Sequence, residues 1–132
     1  FQPGTDYRII SHADMSIGLG ICADLTEESH ATNIRAAGAT VYAVGALLRE
    51  TAFARESALL QKYATALNMT VLFANFAPGY VGSNLESVGK SSIWANGGEL
   101  IAQAPDNEDG EALVVAEVRA DGSWRGQVLS LF

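Results

Sequence analysis

The alternation of strand-like and helix-like segments between residues 15 and 76 narrows the folds available to this chain. Residues 15–22 alternate large apolar residues with small ones, which is the period of a β-strand. Two further apolar strand segments follow at residues 40–44 and 70–76, and helical segments separate the three. Because parallel neighbours need a long crossover connection, this order predicts an α/β fold with a mixed sheet and parallel strands in its middle.

Both predicted helices carry recognisable signals. Thr26 and the two glutamates after it supply an N-cap and an acidic first turn, and Gly38 supplies a C-terminal stop, so the first helix is predicted over residues 27–37. The second helix is predicted over residues 49–68 from its helix-forming composition. Its inward stripe is predicted to be Phe53, Leu60, Ala64 and Leu67.

Shorter strands are predicted on both sides of this central region. They are a strand at residues 7–10 that forms a hairpin around residues 11–14, a hairpin of residues 91–95 and 99–104 around Asn96-Gly97-Gly98, and a strand at residues 112–118. The last segment, residues 123–132, ends in apolar residues that are predicted to bury against a partner subunit. No repeat or linker divides the chain, so a single domain over residues 1–132 is predicted.

The charge balance excludes several classes of partner. Aspartate and glutamate outnumber lysine and arginine 15 to 8, giving a net charge of -7. Nucleic acid and anionic membranes require a basic surface that eight scattered cations cannot supply. No apolar run reaches the roughly 18 residues of a membrane span. A single cysteine forms no internal disulfide, so a cytoplasmic location is predicted.

Cys22 is the only thiol, and it lies where the strand over residues 15–22 leads into the helix over residues 27–37. In open α/β sheets, ligands bind at the carboxyl edge of the strands. The N-terminal end of a nearby helix can stabilise a thiolate, which is the reactive form. Gly18 and Gly20 would allow another layer or a substrate to approach the strand closely. Cys22 is therefore a candidate nucleophile.

Other observations favour a structural role for the same cysteine. Free cysteines are among the most buried residues and usually pack as small apolar side chains. Asp24, Glu27 and Glu28 also oppose formation of a thiolate nearby. From position alone, Cys22 is more often structural than catalytic.

The two histidines do not strengthen the catalytic interpretation. His30 lies eight residues after Cys22, but it is predicted to face outward from its helix without an orienting partner, so a surface or packing role is preferred. His12 falls in a turn and is treated in the same way. One cysteine and two distant histidines form no metal-ligand pattern, and neither a metal nor a cofactor is predicted.

The stretch from Ile17 to Asp24 resembles the Gly-(x)-Gly/Ala-Ile-Cys-x-Asp/Glu segment that contains the nucleophile in the nitrilase superfamily of carbon–nitrogen hydrolases. Other segments resemble that superfamily in the same order, and they are Phe1-Gln2-Pro3-Gly4, Ala36-Ala37-Gly38-Ala39-Thr40-Val41, Thr65-Ala66-Leu67-Asn68, Val71-Leu72-Phe73-Ala74-Asn75, Gly89-Lys90-Ser91-Ser92-Ile93 and Gly97-Gly98-Glu99-Leu100-Ile101-Ala102. The matches extend from Phe1 to about Val118, and together they favour the catalytic interpretation of Cys22.

This resemblance implies a chemistry for the site. Cys22 would form a covalent acyl or thioimidate intermediate with a small-molecule amide, nitrile or carbamoyl compound. The backbone N–H of Ala23 would help to bind the oxyanion. Gly45, Ala46 and Leu47 would border the substrate pocket.

Two further catalytic groups of the family have no counterpart here. In the family a glutamate acts as general base and a lysine stabilises the oxyanion, and both precede the nucleophile segment. The 21 residues before Cys22 contain neither glutamate nor lysine. Lys62 and Lys90 lie in segments that match other parts of the family pattern, so neither is assigned to the oxyanion. This chain alone is therefore expected to be inactive.

The family resemblance also implies a fold and an assembly. The family fold is a four-layer α-β-β-α sandwich, and this chain is expected to form half of it or more, as the C-terminal portion that contains the nucleophile. Half of a sandwich leaves a sheet face exposed, so a homo-oligomer is predicted. Two alternatives stay open: a non-catalytic binding or oligomerising module with the same fold, and an enzyme that transfers the acyl group to an amine.

Overall fold

A computed structural model describes residues 6–77, 86–106 and 111–130. Its main sheet has six strands in the order β1-β2-β3-β4-β5-β6, and these are Ile9–His12, Met15–Ile21, Val41–Ala46, Thr70–Asn75, Ser92–Trp94 and Leu100–Gln103. Strands β2, β3 and β4 are parallel, and the outer pairings are antiparallel. The predicted mixed α/β sheet with parallel central strands is confirmed.

Helix α1, Glu28–Ala36, begins at a cap that the sequence did not indicate. The N-cap is Glu27, whose carboxylate accepts hydrogen bonds from the backbone N–H and the hydroxyl of Ser29. These two bonds, the hydroxyl bond first, lower the pKa of Glu27. The prediction of Thr26 as the N-cap is wrong, because Thr26 ends the preceding turn and donates from both its N–H and its hydroxyl to the Ala23 carbonyl. Gly38, with φ of +101°, follows the helix at the predicted stop.

Helix α2, Glu50–Ala66, packs on the same face of the sheet as α1. Leu60 and Ala64 are buried as predicted, and Phe53 and Leu67 pack partly buried at the edge of the core. Tyr63 was not predicted to face inward, yet it is buried and donates a hydrogen bond of 2.9 Å to the Leu25 carbonyl. Burial raises the pKa of Tyr63, and the charges of two nearby glutamates raise it further.

The hydrophobic core lies between the two helices and the main sheet. Alternate residues of β3 and β4 point toward the helices, as the two-residue period of a strand requires. The largest side chains of this core that are completely removed from solvent are Leu25, Ile34, Tyr42, Leu60, Met69 and Val71. Burying each large aliphatic side chain contributes roughly 1.5–3 kcal/mol of stabilisation.

The glycines of β2 allow the helix layer to approach this strand closely. A Cβ at Gly18 would overlap the side chain of Ile34 in α1. A Cβ at Gly20 would lie 2.5 Å from the hydroxyl of Tyr42 in β3. The alternation of glycine with large apolar residues therefore separates a closely packed face of β2 from an open one.

A second sheet of two antiparallel strands packs beside the main sheet. Strand β7, Ala112–Val118, has the predicted bounds, and it pairs with β8, Trp124–Ser130. Gly126 of β8 lies against the backbone and side chains of β6, where a Cβ would clash. No strand was predicted in segment 123–132, yet residues 124–130 complete a β-ladder with β7.

The remaining differences concern the ends of elements. The first hairpin strand lies at Ile9–His12, two residues later than the predicted segment 7–10. The Phe1-Gln2-Pro3-Gly4 segment lies outside the described residues. Among the described residues, no helix is long and apolar enough to cross a membrane.

Candidate active site

Cys22 begins a 3₁₀ turn, Cys22–Leu25, directly after β2. The prediction that Cys22 ends the strand is wrong by one residue, because β2 ends at Ile21. The side chain is exposed, and the backbone has φ of +51°, in the left-handed region that non-glycine residues seldom adopt. Nucleophiles on sharp strand-to-helix turns have this kind of exposed, strained position. The geometry suits a thiol that attacks a ligand above the sheet edge.

Ala23 occupies the second position of the 3₁₀ turn and is exposed. The first N–H groups of a helical segment have no acceptor within that segment. The N–H of Ala23 therefore lies next to the thiol, in a segment whose first donors are free of intrahelical bonds. Backbone N–H groups are among the donors that form oxyanion holes.

Gly45 and Ala46 lie at the carboxyl edge beside Cys22. Gly45 is the register partner of Ile21 in the parallel β2–β3 pair, so the thiol follows one position beyond it. Gly45 is exposed, and in the described part of the chain no heavy atom beyond its two sequence neighbours lies within 4 Å of the position of a Cβ at this glycine. Leu47 follows β3 and is partly buried. The structure thus brings the three predicted pocket residues to the same edge as the cysteine.

Asn75, which the sequence reasoning did not single out, organises the same edge at the end of β4. Its Oδ1 accepts hydrogen bonds from the N–H groups of Leu48 (2.7 Å) and Phe76 (3.0 Å). Its Nδ2 donates to the carbonyls of Gly89 (2.6 Å) and Leu48 (3.3 Å). One amide therefore joins the segment after β3 to the segment before β5. The sequence held one indication of this role, which is that Asn75 is a polar residue at the end of an apolar strand.

Below the cysteine turn, His30 contacts two groups, contrary to the prediction that it faces outward without a partner. Its Nδ1 lies 3.0 Å from the hydroxyl of Tyr42, and its Nε2 lies 3.8 Å from Oδ2 of Asp24. Its side chain is only 16% exposed. The prediction failed because His30 lies on the side of α1 that faces the 3₁₀ turn, not on the side that faces solvent.

The electrostatics of this cluster favour a neutral phenol. Burial raises the pKa of Tyr42 well above its usual range, and the charge of Asp24 adds to that shift. Tyr42 is therefore protonated at physiological pH and able to donate a hydrogen bond. Its hydroxyl lies 3.5 Å from the Asp24 carbonyl oxygen as well as near His30.

The two lysines of the chain form ion pairs with carboxylates. Lys62 of α2 binds both carboxylate oxygens of Glu28 at 2.7 and 2.8 Å. Lys90 lies 3.5 Å from carboxylate oxygens of both Glu50 and Asp106. These contacts give no reason to assign either lysine to an oxyanion. In the described part of the chain, no cluster of three or more histidine, cysteine or acidic residues is placed to bind a metal ion.

Comparison with known proteins finds similarity at the level of structure. No protein-family model and no curated protein matches the sequence. Nit3 of Saccharomyces cerevisiae, a member of branch 10 of the nitrilase superfamily, superposes with a TM-score of 0.72 over 82% of this chain and 40% of its own, at 19% identity. A carbon–nitrogen hydrolase from Helicobacter pylori gives 0.69 over 83% and 43%, at 19% identity. An amidase from Nesterenkonia sp. gives 0.67 over 99% and 43%, at 20% identity.

The similarity to these proteins establishes the fold. The mixed sheet, the helices on one face and the small second sheet correspond to part of the nitrilase fold. The chain spans less than half the length of each of these three neighbours. Because the identities are near 20%, the similarity carries no assignment of activity.

Proposed function

We propose that this chain provides the nucleophile of a carbon–nitrogen hydrolase, and that Cys22 attacks a small-molecule amide, nitrile or carbamoyl compound. One observation carries the proposal. Within a nitrilase fold, the only thiol is exposed on a left-handed turn at the carboxyl edge of the parallel strands. A merely structural cysteine is usually buried, whereas this one is directed to solvent at the edge where ligands bind.

The reaction proceeds in two steps for an amide substrate. The Cys22 thiolate adds to the carbonyl carbon, and the oxygen takes up the negative charge of a tetrahedral intermediate. The carbon–nitrogen bond then breaks, the amine leaves with the proton that the Cys22 thiol gave up, and a thioester remains on the sulfur. Water attacks this thioester, releases the carboxylic acid and restores the thiol.

The neighbouring residues take the roles that their positions allow. The N–H of Ala23 donates a hydrogen bond to the oxyanion, and Gly45, Ala46 and Leu47 border the bound substrate. Because no described residue other than the neighbours of Gly45 has an atom within 4 Å of a Cβ there, space is left for a substrate group beside the thiol. Asn75 keeps the adjacent segments in place through its four hydrogen bonds.

Chemistry described for one structural neighbour supports the proposal. A glutamate-to-glutamine variant of the Nesterenkonia amidase carries the acetamide moiety of fluoroacetamide covalently bound at its active-site cysteine. Acrylamide adds to the active-site cysteine of the same enzyme. By analogy, small amides are the first substrates and probes to use with Cys22.

No residue of this chain is proposed as the general base or as the lysine that stabilises the oxyanion. The segment before Cys22 contains neither glutamate nor lysine, and the two lysines after it bind carboxylates. The 132 residues alone are therefore expected to release no product. A cytoplasmic location and a homo-oligomeric assembly are part of the same proposal.

Ammonia release from small amides and nitriles tests this function. The natural polypeptide that contains the sequence should be active, and Cys22→Ala should lower kcat by more than about a thousandfold, as removal of a nucleophile does. Ser11→Ala removes an exposed polar atom from β1 and serves as the control with native activity. Activity that survives Cys22→Ala would exclude Cys22 as the nucleophile.

A further inference from the structure

We propose that His30 and Tyr42 are positioning residues for Cys22, because together with Asp24 they form a closed chain of polar contacts behind the turn that carries the thiol. The inference rests on the proposed role of Cys22 as nucleophile. It assigns a function to two residues that make no contact with the substrate in the proposed reaction.

The Asp24 carboxylate bridges the two sides of Cys22. Its Oδ2 accepts a hydrogen bond of 2.9 Å from the N–H of Ile21, the residue before the cysteine. The ring closed by this bond encloses Cys22, whose φ of +51° is sparsely populated. Such conformations persist only where the surroundings determine them. The position of the Asp24 carboxylate therefore bears directly on the conformation of the nucleophile.

His30 and Tyr42 contact both polar groups of Asp24. The Nε2 of His30 lies 3.8 Å from the carboxylate oxygen that also accepts the Ile21 bond. The Tyr42 hydroxyl lies 3.0 Å from Nδ1 of His30 and 3.5 Å from the Asp24 carbonyl oxygen. The contacts run from Asp24 to His30, from His30 to Tyr42 and from Tyr42 back to Asp24. A displacement of either ring would therefore be transmitted to the turn.

The sequence provides the space that this arrangement needs. Tyr42 is completely buried, and its ring lies beneath β2, where Gly20 leaves room for the hydroxyl. A Cβ at Gly20 would be 2.5 Å from that oxygen, closer than real Cβ contacts come. A glycine two residues before the nucleophile therefore permits a phenol to reach the turn.

The surroundings of His30 restrict its ring. The Tyr7 ring contacts it edge-on at a centroid distance of 5.4 Å, and the Tyr42 ring lies at 5.9 Å on a tilted plane. The charged groups near the imidazole are Asp24 and Glu27. With only 16% of its side chain exposed, His30 has little freedom to leave this position.

The test compares variants in the natural polypeptide by the rate at which iodoacetamide alkylates Cys22. The Cys22 thiolate displaces iodide, and the product is followed in the tryptic peptide of residues 9–35. Tyr42→Phe and His30→Leu should each lower the second-order rate constant about fivefold, the effect of losing one ordinary hydrogen bond. The thermal midpoint is measured for every variant, and labelling is done well below the lowest midpoint.

Two further variants separate positioning from general loss of structure. His30→Asn keeps a polar atom at the place of Nδ1, and with it the contact with Tyr42 but not the contact with Asp24, so it should recover part of the native rate that His30→Leu loses. Tyr7→Phe removes a hydroxyl that accepts a hydrogen bond from Asn33 outside the chain of contacts, and it should react at the native rate.

The outcomes distinguish this inference from the proposed function. If native Cys22 reacts no faster than glutathione at the same pH, the proposed function fails, and the inference that rests on it fails too. If native Cys22 is reactive but Tyr42→Phe and His30→Leu match it, the positioning role is excluded while the nucleophile remains. If His30→Asn is no faster than His30→Leu, the contact between His30 and Tyr42 is excluded from the positioning of Cys22.

Discussion

Gly20 and Gly45 lie on neighbouring strands of one sheet but have opposite surroundings. A Cβ at Gly20 would meet the hydroxyl of the buried Tyr42, whereas a Cβ at Gly45 would have no atom of another described residue within 4 Å, apart from its two sequence neighbours. Neither glycine has a positive φ. A comparison of alanine substitutions at Gly20 and Gly45 therefore measures the effect of close packing, because neither position needs a positive φ.

We expect Gly20→Ala to destabilise the protein by about 1–3 kcal/mol, because the added methyl group forces the Tyr42 ring to move within a packed core. Gly45→Ala is the matched control and should leave the free energy of unfolding unchanged within about 0.5 kcal/mol. Urea denaturation of both variants measures the difference. Equal stability of the two variants would show that Tyr42 does not pack beneath Gly20 as described.

Hydrogen bonds of a single side chain connect several elements at the carboxyl edge. Asn75, at the end of β4, bonds to Leu48 before α2 and to Gly89 before β5. Asn96, in the tight turn between β5 and β6, is exposed, and its Nδ2 donates a hydrogen bond of 3.3 Å to Oδ1 of Asn68. The Asn75 side chain therefore connects separate segments, whereas the Asn96 side chain lies at the surface.

Asn75→Ala should lower the free energy of unfolding by about 2–3 kcal/mol, because backbone groups of Leu48 and Gly89 lose their partners. Asn96→Ala should change it by less than about 0.5 kcal/mol. Thermal or urea unfolding followed by circular dichroism compares the two. A small effect of Asn75→Ala would mean that water replaces its bonds at no cost.

At the level of elements, apolar periodicity predicted the helices and strands whose pattern lies within one segment of the sequence. The parallel strands, both helices and β7 follow from apolar periodicity and from stops such as Gly38, which act within one segment. Strand β8 was missed because its central Gly126 weakens a strand pattern, and only contact with β6 explains that glycine.

Only part of the candidate site was predictable from the sequence, because only part of its geometry depends on local sequence. The position of Cys22 at the end of a strand is a property of the local sequence. Its left-handed φ and the contacts of His30 with Tyr42 are not, because Tyr42 lies on another strand and reaches the turn only after the sheet has formed. Thr26 was a plausible cap by residue type, but the turn that starts at Cys22 displaces the start of α1 to Glu28.

The whole molecule has one sheet face that the helices do not cover. Apolar side chains on this face remain exposed, with Leu19 at 48% and Ile21 at 72% of their full accessibility. The β7–β8 ribbon covers only part of it, leaving an open groove of about 430 Å³ that runs from β2 to the start of β7. An apolar surface of this kind favours association with another polypeptide surface.

We therefore expect the 132-residue chain to form oligomers in solution, and Leu19→Glu to shift it toward the monomer by placing a charge on that face. Ala58→Glu adds the same charge on the exposed side of α2 and should leave the assembly unchanged. Light scattering coupled to size-exclusion chromatography measures both. A monodisperse native monomer would contradict the expectation.

If Cys22 forms a covalent bond with an amide substrate, it should also react with fluoroacetamide, a small amide with a leaving group next to its carbonyl. The natural polypeptide is incubated with this weak alkylating agent beside glutathione, and the tryptic peptide of residues 9–35 is examined by mass spectrometry. We expect an acetamide adduct on Cys22 while glutathione stays unmodified. Unmodified Cys22 in a polypeptide that still hydrolyses amides would contradict it.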